Sequence, residues 1–234
     1  VEIAAFLPLS LSDDPGRLSA VVFVAGCNFR CPFCHNPELV LPRAVEAGAR
    51  IDASHVLAQI ERRAGFLDGI VISGGEPTLQ PGLEAFAAAV RRIGLRVKLD
   101  TNGSRPEVLR RLTDRSLVDY VAMDVKAPIG RYAEFAGVDV EAHALAESID
   151  TIRACAPDYE LRTTVAPGLA RGDLHSLAHE LHGAKRYVLQ PFRVPRDKGL
   201  VDSAWATREC LSPEELREIW LEIAPSFEAG GVRA

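Results

Sequence analysis

Gly26-Cys27-Asn28-Phe29-Arg30-Cys31-Pro32-Phe33-Cys34-His35-Asn36 is the stretch whose reading decides the fold. It sets Cys27, Cys31 and Cys34 in a CxxxCxxC array directly behind the apolar run Ala20-Val-Val-Phe-Val-Ala25. A continuous apolar run of that length reads as a buried strand, so the cysteines sit on the loop that follows it. A [4Fe-4S] cluster is ordinarily held by four thiolates. Three on one short loop would leave one iron open to a substrate or cofactor. Loops after parallel strands are also where barrel enzymes keep their chemistry. The alternative is structural zinc with His35 as fourth ligand, since zinc takes Cys and His. His35 directly follows Cys34, however, and neighbours in an extended loop point apart. No second ligand pair at zinc-finger spacing accompanies the loop. The spacing and the strand before it favour iron-sulfur and leave His35 as a packing or hydrogen-bonding residue.

Outward from this loop a strand and a helix alternate. Strands are predicted at 20–25, 68–73, 95–100, 119–125, 159–166 and 186–190. Helices are predicted from Asp52 or Ser54 as cap to about 64, and near 82–93, 106–112, 143–155, 173–182 and 213–223. Residues 1–17 read as an apolar lead-in ending in the turn Ser12-Asp-Asp-Pro-Gly-Arg17, and residues 37–50 as irregular chain. The 234 residues permit one large domain or two small ones, and the regular alternation decides for one. Short crossovers enforce parallel strands with helices outside. The expectation is an α/β fold over 1–234, with an open partial (β/α)6 barrel of parallel strands at 18–194 and a C-terminal segment and helix at 195–234. Six units are two short of a closed barrel. The sheet should curl but stay open, and the lateral gap could admit a partner's loop.

Composition narrows the function classes. An apolar fraction of 47% supplies a core, and no run approaches the roughly 18 apolar residues of a membrane span. With no signal peptide ahead of the first strand, the expectation is a cytoplasmic protein without membrane association. A net charge of −5 and the lack of a basic tract argue against nucleic-acid binding. Three of the five cysteines are too tightly clustered for a disulfide framework, which suits a reducing compartment. Cys155 and Cys210 have no Cys or His at ligand spacing and read as small buried or incidental residues.

The CxxxCxxC loop after a first strand resembles the signature of the radical S-adenosylmethionine enzymes. Its surroundings, from Gly26 through His35-Asn-Pro-Glu-Leu-Val40, look most like the activases of glycyl-radical enzymes, especially the group named anaerobic ribonucleoside-triphosphate reductase activating proteins. The resemblance runs from the turn at 10–17 to Gln190-Pro-Phe-Arg193. It departs at Asp14, where the family tends to carry an aromatic residue. It implies a [4Fe-4S] cluster on Cys27, Cys31 and Cys34, whose open iron binds the amino and carboxylate groups of S-adenosylmethionine. An electron from a flavodoxin or ferredoxin-type donor would cleave the sulfonium to methionine and a 5′-deoxyadenosyl radical, which would take a Gly α-hydrogen from a partner enzyme. The hard chemistry is then the cofactor's, and no catalytic side chain is needed beyond cluster and cofactor. The implied partner is an anaerobic ribonucleoside-triphosphate reductase. A pyruvate formate-lyase-type partner, a small-molecule substrate, or a non-catalytic metal-binding module are the alternatives. No further cysteine lies between Asn36 and Asp52, which argues against the branch with an inserted ferredoxin-like domain.

Four other segments carry polar residues at predicted strand ends. Ser73-Gly74-Gly75-Glu76-Pro77 alone is an ordinary tight turn. Its glycines let backbone groups approach a ligand closely, and the resemblance implies that it holds the methionyl amine, with Glu76 and peptide carbonyls as acceptors. Lys98 and Asp100 share one face of their strand, as do Asp124 and Lys126. If those faces point inward, the charges must be paired or bind something. A salt-bridge cluster at the barrel mouth is the structural reading. The resemblance implies contacts from Asp124 and Lys126 to S-adenosylmethionine, and a monovalent cation held with help from Asp100 and Thr101. Arg162 and Thr164 alternate on the fifth strand. Arg162 matches an arginine that approaches the cofactor in related activases, where a guanidinium suits carboxylate or ribose oxygens. Asn102-Gly103 reads as a turn, and Gln190 and Arg193 as candidates for meeting the protein substrate.

Overall fold

The computed structural model describes residues 1–195 and 199–233; positions 196–198 of the expected C-terminal segment, and position 234, lie outside the described residues. The strands are β1 Ile3–Ser10, β2 Ser19–Val24, β3 Gly69–Gly74, β4 Arg96–Thr101, β5 Tyr120–Asp124, β6 Tyr159–Val165, β7 Arg186–Pro191 and β8 Ala229–Val232. The helices are α1 Pro37–Val40, α2 Pro42–Ala47, α3 Ala53–Glu61, α4 Leu83–Arg92, α5 Pro106–Asp114, α6 Tyr132–Ala136, α7 Ala142–Cys155, α8 Arg171–Glu180 and α9 Pro213–Ile223. All strands form one sheet in sequence order, from β1 at one edge to β8 at the other. From β2 to β8 every pairing is parallel. The six expected strands are therefore present as β2 to β7, each within about two residues of its expected ends.

Why these segments fold locally is readable residue by residue. Ile70, Val71 and Ile72 of β3 are fully buried, as befits a parallel strand covered on both faces. Asp52 caps α3 by accepting from the His55 N–H at 3.0 Å. At α9 the Ser212 hydroxyl accepts from the Glu215 N–H at 3.2 Å, while the Glu215 carboxylate accepts from the Ser212 N–H at 2.8 Å, a reciprocal capping box.

Four segments differ from expectation, among them the unpredicted short helix α6 after β5. The lead-in contains β1, antiparallel to β2 with Phe6 opposite Val22 and Leu7 opposite Val21. Its buried residues are only Ile3 and Ser10, so period-two alternation is absent and Pro8 breaks the strand signal. At the other end, β8 reads Ala-Gly-Gly-Val, a composition that disfavours strands. It pairs with β7 all the same, Gly230 opposite Tyr187, and glycine permits the close approach there, since an added Cβ would stand 1.9 Å from the Tyr187 carbonyl oxygen. The stretch 37–50 is not irregular but holds α1 and α2, with Pro37 and Pro42 opening them. Proline there is a helix start, since its missing N–H is an orphan in the first turn anyway.

The outer face of the sheet, with Ile72, Leu99, Met123 and Leu161 fully buried, packs under the helices in one core. The inner face carries Lys98, Asp100, Asp124, Glu160 and Arg162. There Arg162 of β6 reaches past β5 to Asp100 of β4, and Arg233, just past β8, reaches past β7 to Glu160 of β6. Contacts that skip a strand mark this face as the concave side of a curled sheet.

Candidate cofactor cleft

Every residue that the sequence nominated for the cluster and cofactor lines one cleft at the C-terminal ends of β2 to β6, with a volume of about 220 Å³. Parallel strands with right-handed crossovers deliver all their following loops to this one rim.

The cysteine loop is held from several sides. The Arg30 N–H donates to Ala136 O of α6 at 2.7 Å, and the Arg30 guanidinium donates to Cys27 O at 2.6 Å and Phe29 O at 2.8 Å. The Cys34 N–H donates to Cys31 O at 3.0 Å. Behind the loop, Phe33 packs on Phe135 and on Trp205, with ring centroids 6.2 and 5.8 Å apart. The post-barrel chain returns here, where the N–H groups of Val201 and Asp202 donate to Cys34 O and Pro32 O at 3.3 and 2.9 Å. Burial pushes the Cys27 thiol up to about 11 and Cys31 up to about 12, and raises Cys34 as well. These are neutral thiols until a metal displaces their protons. A rigid loop offering three sheltered sulfurs to one cleft fits an iron-sulfur cluster, whose ligands are thiolates. Among the described residues no three of His, Cys, Asp or Glu converge on a single-ion site. His35 packs its ring 5.4 Å from Phe192, and its Nε2 is buried without a hydrogen-bond partner.

The Gly-Gly-Glu segment works differently from the simplest expectation. Gly74, at φ +113°, and Gly75 are required by the neighbouring strand end. Added Cβ atoms would stand 2.5 Å from Val24 N and 2.0 Å from Gly26 O. This closeness lets the Gly75 and Glu76 N–H groups donate to Val24 O and Gly26 O at 2.9 and 2.8 Å, tying the segment to the root of the cysteine loop. The Glu76 carboxylate is fully buried. It accepts from Thr78 N–H at 3.0 Å, Thr78 Oγ1 at 2.5 Å, Thr101 Oγ1 at 2.7 Å and Asn102 N–H at 2.7 Å. Burial raises its pKa, against the pull of these bonds. Glu76 thus clamps the β3 and β4 loops together.

The inward charges form a paired cluster. Lys98 Nζ lies 2.5 Å from Asp100 Oδ1, and Ser73 Oγ donates to Asp100 Oδ2 at 3.0 Å. Lys126 Nζ lies 3.0 Å from Asp124 Oδ2. Arg162 bridges the two aspartates, with Nε 2.8 Å from Asp124 Oδ1 and Nη1 3.4 Å from Asp100 Oδ1. Burial alone would raise Asp124, yet Arg162 and Lys126 hold it below the usual carboxylate range. Lys126 is raised in turn, because Asp124 outweighs the burial that favours its neutral form. The Arg162 guanidinium is accordingly engaged by protein carboxylates, and Asp100 already has two cationic partners where a monovalent cation was expected.

Sequence reasoning missed the supports of the cleft. Asn102, read as a turn residue, donates from Nδ2 to Asn28 Oδ1 at 2.9 Å and lies 3.9 Å from Cys27 Sγ; Asn28 in turn donates to Ser104 Oγ at 2.9 Å. The adjacency of a second Asn to the first cysteine is the signal that pointed there. Gln190 is half-buried and Arg193 exposed, and neither lines the cleft. A larger cavity of about 470 Å³ lies on the other side of β5, walled by apolar residues of α7 such as Leu145 and Ile149. Its lining includes His143, Asp150, Arg153 and Glu180 but none of the cysteines, so the smaller cleft, which gathers all three, is the functional candidate.

Comparison with known proteins agrees with this geometry. The family model described as the Radical SAM superfamily matches residues 21–181. A Methanocaldococcus jannaschii protein, provisionally named a glycyl-radical enzyme activating enzyme, is 34% identical over 224 residues, covering 93% of this chain and 89% of the relative. The 7-carboxy-7-deazaguanine synthase of Hyperthermus butylicus is 38% identical over 96 residues, 41% of this chain and 39% of that protein. The pyruvate formate-lyase-activating enzyme of Listeria monocytogenes is 32% identical over 125 residues, so the chain spans 48% of that enzyme's length. Among solved structures, QueE from Escherichia coli superposes with a TM-score of 0.59 at 14% identity, covering all of this chain and 93% of that one, a likeness of fold. Among the described residues no helix is long and apolar enough to cross a membrane.

Proposed function

The chain belongs to the Radical SAM superfamily, and from that premise we propose that it generates a glycyl radical on a partner enzyme. It is an enzyme whose cofactors are a [4Fe-4S] cluster and S-adenosylmethionine. When bound, these supply one-electron cleavage to methionine and a 5′-deoxyadenosyl radical able to abstract a Gly α-hydrogen.

In this reading Cys27, Cys31 and Cys34 ligate three irons and leave the fourth to the methionyl group. The backbone after β3 accepts from its amine, while Glu76 keeps that backbone in register with Thr101 and Asn102. Lys126, neutralised by Asp124, meets the cofactor's carboxylate or ribose at the mouth. Arg162 acts through the two aspartates that it bridges, and Ser73 and Thr164 line the walls. The observation that carries the reading is the convergence of three thiols and a fully paired charge cluster on one cleft. In this reading the cofactor stays open to one side of the cleft, so that the radical can reach another protein's backbone. The partner we favour is an anaerobic ribonucleoside-triphosphate reductase, with a pyruvate formate-lyase-type enzyme next, and the electron donor a flavodoxin or ferredoxin.

The test is anaerobic reconstitution with iron and sulfide, then dithionite and S-adenosylmethionine, with chromatography for 5′-deoxyadenosine. Addition of the partner should give the paramagnetic signature of a glycyl radical. Cleavage without a radical on either partner would move the assignment to the small-molecule reading, which the resemblance to 7-carboxy-7-deazaguanine synthases supports. No cleavage from a fully loaded, reducible cluster would sink the enzyme reading.

A further inference from the structure

The charged side chains of the concave face extend beyond the cleft. Two residues before Arg162 on β6 stands Glu160, fully buried and pointing to the same side. Its Oε1 lies 3.8 Å from Arg162 Nη1. Arg233, just past β8, grips the same carboxylate with two bonds, Nη1 to Oε1 at 2.9 Å and Nη2 to Oε2 at 2.5 Å. The Arg233 N–H donates to Leu189 O of β7 at 2.9 Å, which fixes where its side chain departs. Arg186 of β7 is spent nearby on the Tyr120 hydroxyl, 2.9 Å away. Arg233 itself does not line the cleft.

A carboxylate removed from water must be neutralised by a partner. Glu160 has two guanidiniums within ion-pair distance, while Arg186, Lys98 and the Tyr120 hydroxyl also act on it; one of the two, Arg162, is also the bridge between the cleft aspartates Asp100 and Asp124. Without Arg233, Glu160 would compete with those aspartates for Arg162, and the cleft would lose the geometry of its acidic pair. We infer that Arg233 is a positioning residue for S-adenosylmethionine. By satisfying Glu160 from the edge of the sheet, it leaves Arg162 on Asp100 and Asp124. The inference rests on the proposed cofactor cleft.

Calorimetric titration of S-adenosylmethionine into the anaerobically reconstituted protein tests it, alongside iron content and the urea midpoint of the metal-free chain. Arg233→Met should retain iron and weaken affinity about tenfold, a difference of about 1.4 kcal/mol. Arg233→Lys, which keeps one cationic contact, should recover most of that loss. Glu160→Gln combined with Arg233→Met should return affinity to within about threefold of the parent, because a neutral amide no longer competes for Arg162. A purely structural staple would lower the urea midpoint of Arg233→Met and leave affinity untouched, and that result overturns the inference. So does a double variant as weak as the single one. Where Arg233→Met does not fold, the double variant decides alone: parent-like affinity supports the inference and tenfold weaker binding overturns it. A parent protein that fails to bind S-adenosylmethionine at all instead sinks the proposed function.

Discussion

The two faces of the same strands are built by opposite rules. On β4 and β5 the outward residues Val97, Leu99, Val121 and Met123 are fully buried among helix side chains. Between them, pointing the other way, stand Lys98, Asp100 and Asp124, each held by an opposite charge. A parallel strand covered on both sides usually reads as a continuous apolar run. Here the covering of the inner face is ionic. The outer face stabilises the sheet by removing apolar area from water. The inner face costs desolvation, offsets it by pairing, and lines the candidate cleft with its charges. Stability and function can therefore be broken separately.

The largest separation should come from Cys31→Ala. It removes a thiol on the functional rim without touching the outer face, so cluster content and S-adenosylmethionine cleavage should vanish while the circular dichroism of the chain persists. Full iron content in this variant would remove Cys31 from the ligand set. Next is Leu99→Ala on the outer face, expected to destabilise by about 2–5 kcal/mol through lost burial and the cavity left behind. Enzyme that remains folded should still cleave the cofactor, as single-turnover assays below the melting transition would reveal.

Asp124→Asn strikes both properties. It withdraws the partner of Lys126 and one partner of Arg162, and should lower stability by about 3 kcal/mol together with cofactor affinity. Acid offers the same comparison without mutation. The folded-state values of Asp100, Asp124 and Glu160 lie below the ordinary carboxylate range because neighbouring cations outweigh burial. Their contribution to stability is thus fully present above about pH 4, the unfolded value, and is lost as pH falls through the lower folded values. The urea midpoint of the metal-free chain should drop over that range, and less steeply in Asp124→Asn. The smallest effect belongs far from both faces. Ser212→Ala removes the α9 capping box and should cost about 1 kcal/mol, with cofactor affinity unchanged by calorimetry.

Much of this was legible before any coordinates. The CxxxCxxC spacing and the six strand-helix repeats appear as expected because buried strands and amphipathic helices leave local signatures. That Lys98 and Asp100 share a face, as do Asp124 and Lys126, was readable from the strand period, and so was their need for partners if that face pointed inward; the structure decided that it does. The edges were not legible. The strand β8 has a strand-poor composition and pairs through a close approach that Gly230 permits against Tyr187, and β1 lacks the alternation of a half-buried strand. Glu76 shows the limit within the site. Its type and position suggested a ligand acceptor, yet four internal donors claim its carboxylate, two from Thr78 beside it and two from a loop some 25 residues away.

By itself, then, the amino-acid sequence nominated residues that gather along one cleft and placed them after successive strands, because strand period and cysteine spacing are local properties of the chain. Only the tertiary structure decided who pairs with whom. Arg162 serves two aspartates rather than a ligand alone, Arg233 reaches back to Glu160, and the chain near Trp205 returns to brace the cysteine loop. Those choices depend on how far the sheet curls and which side chains arrive at one point, and no local pattern encodes a distance across a barrel.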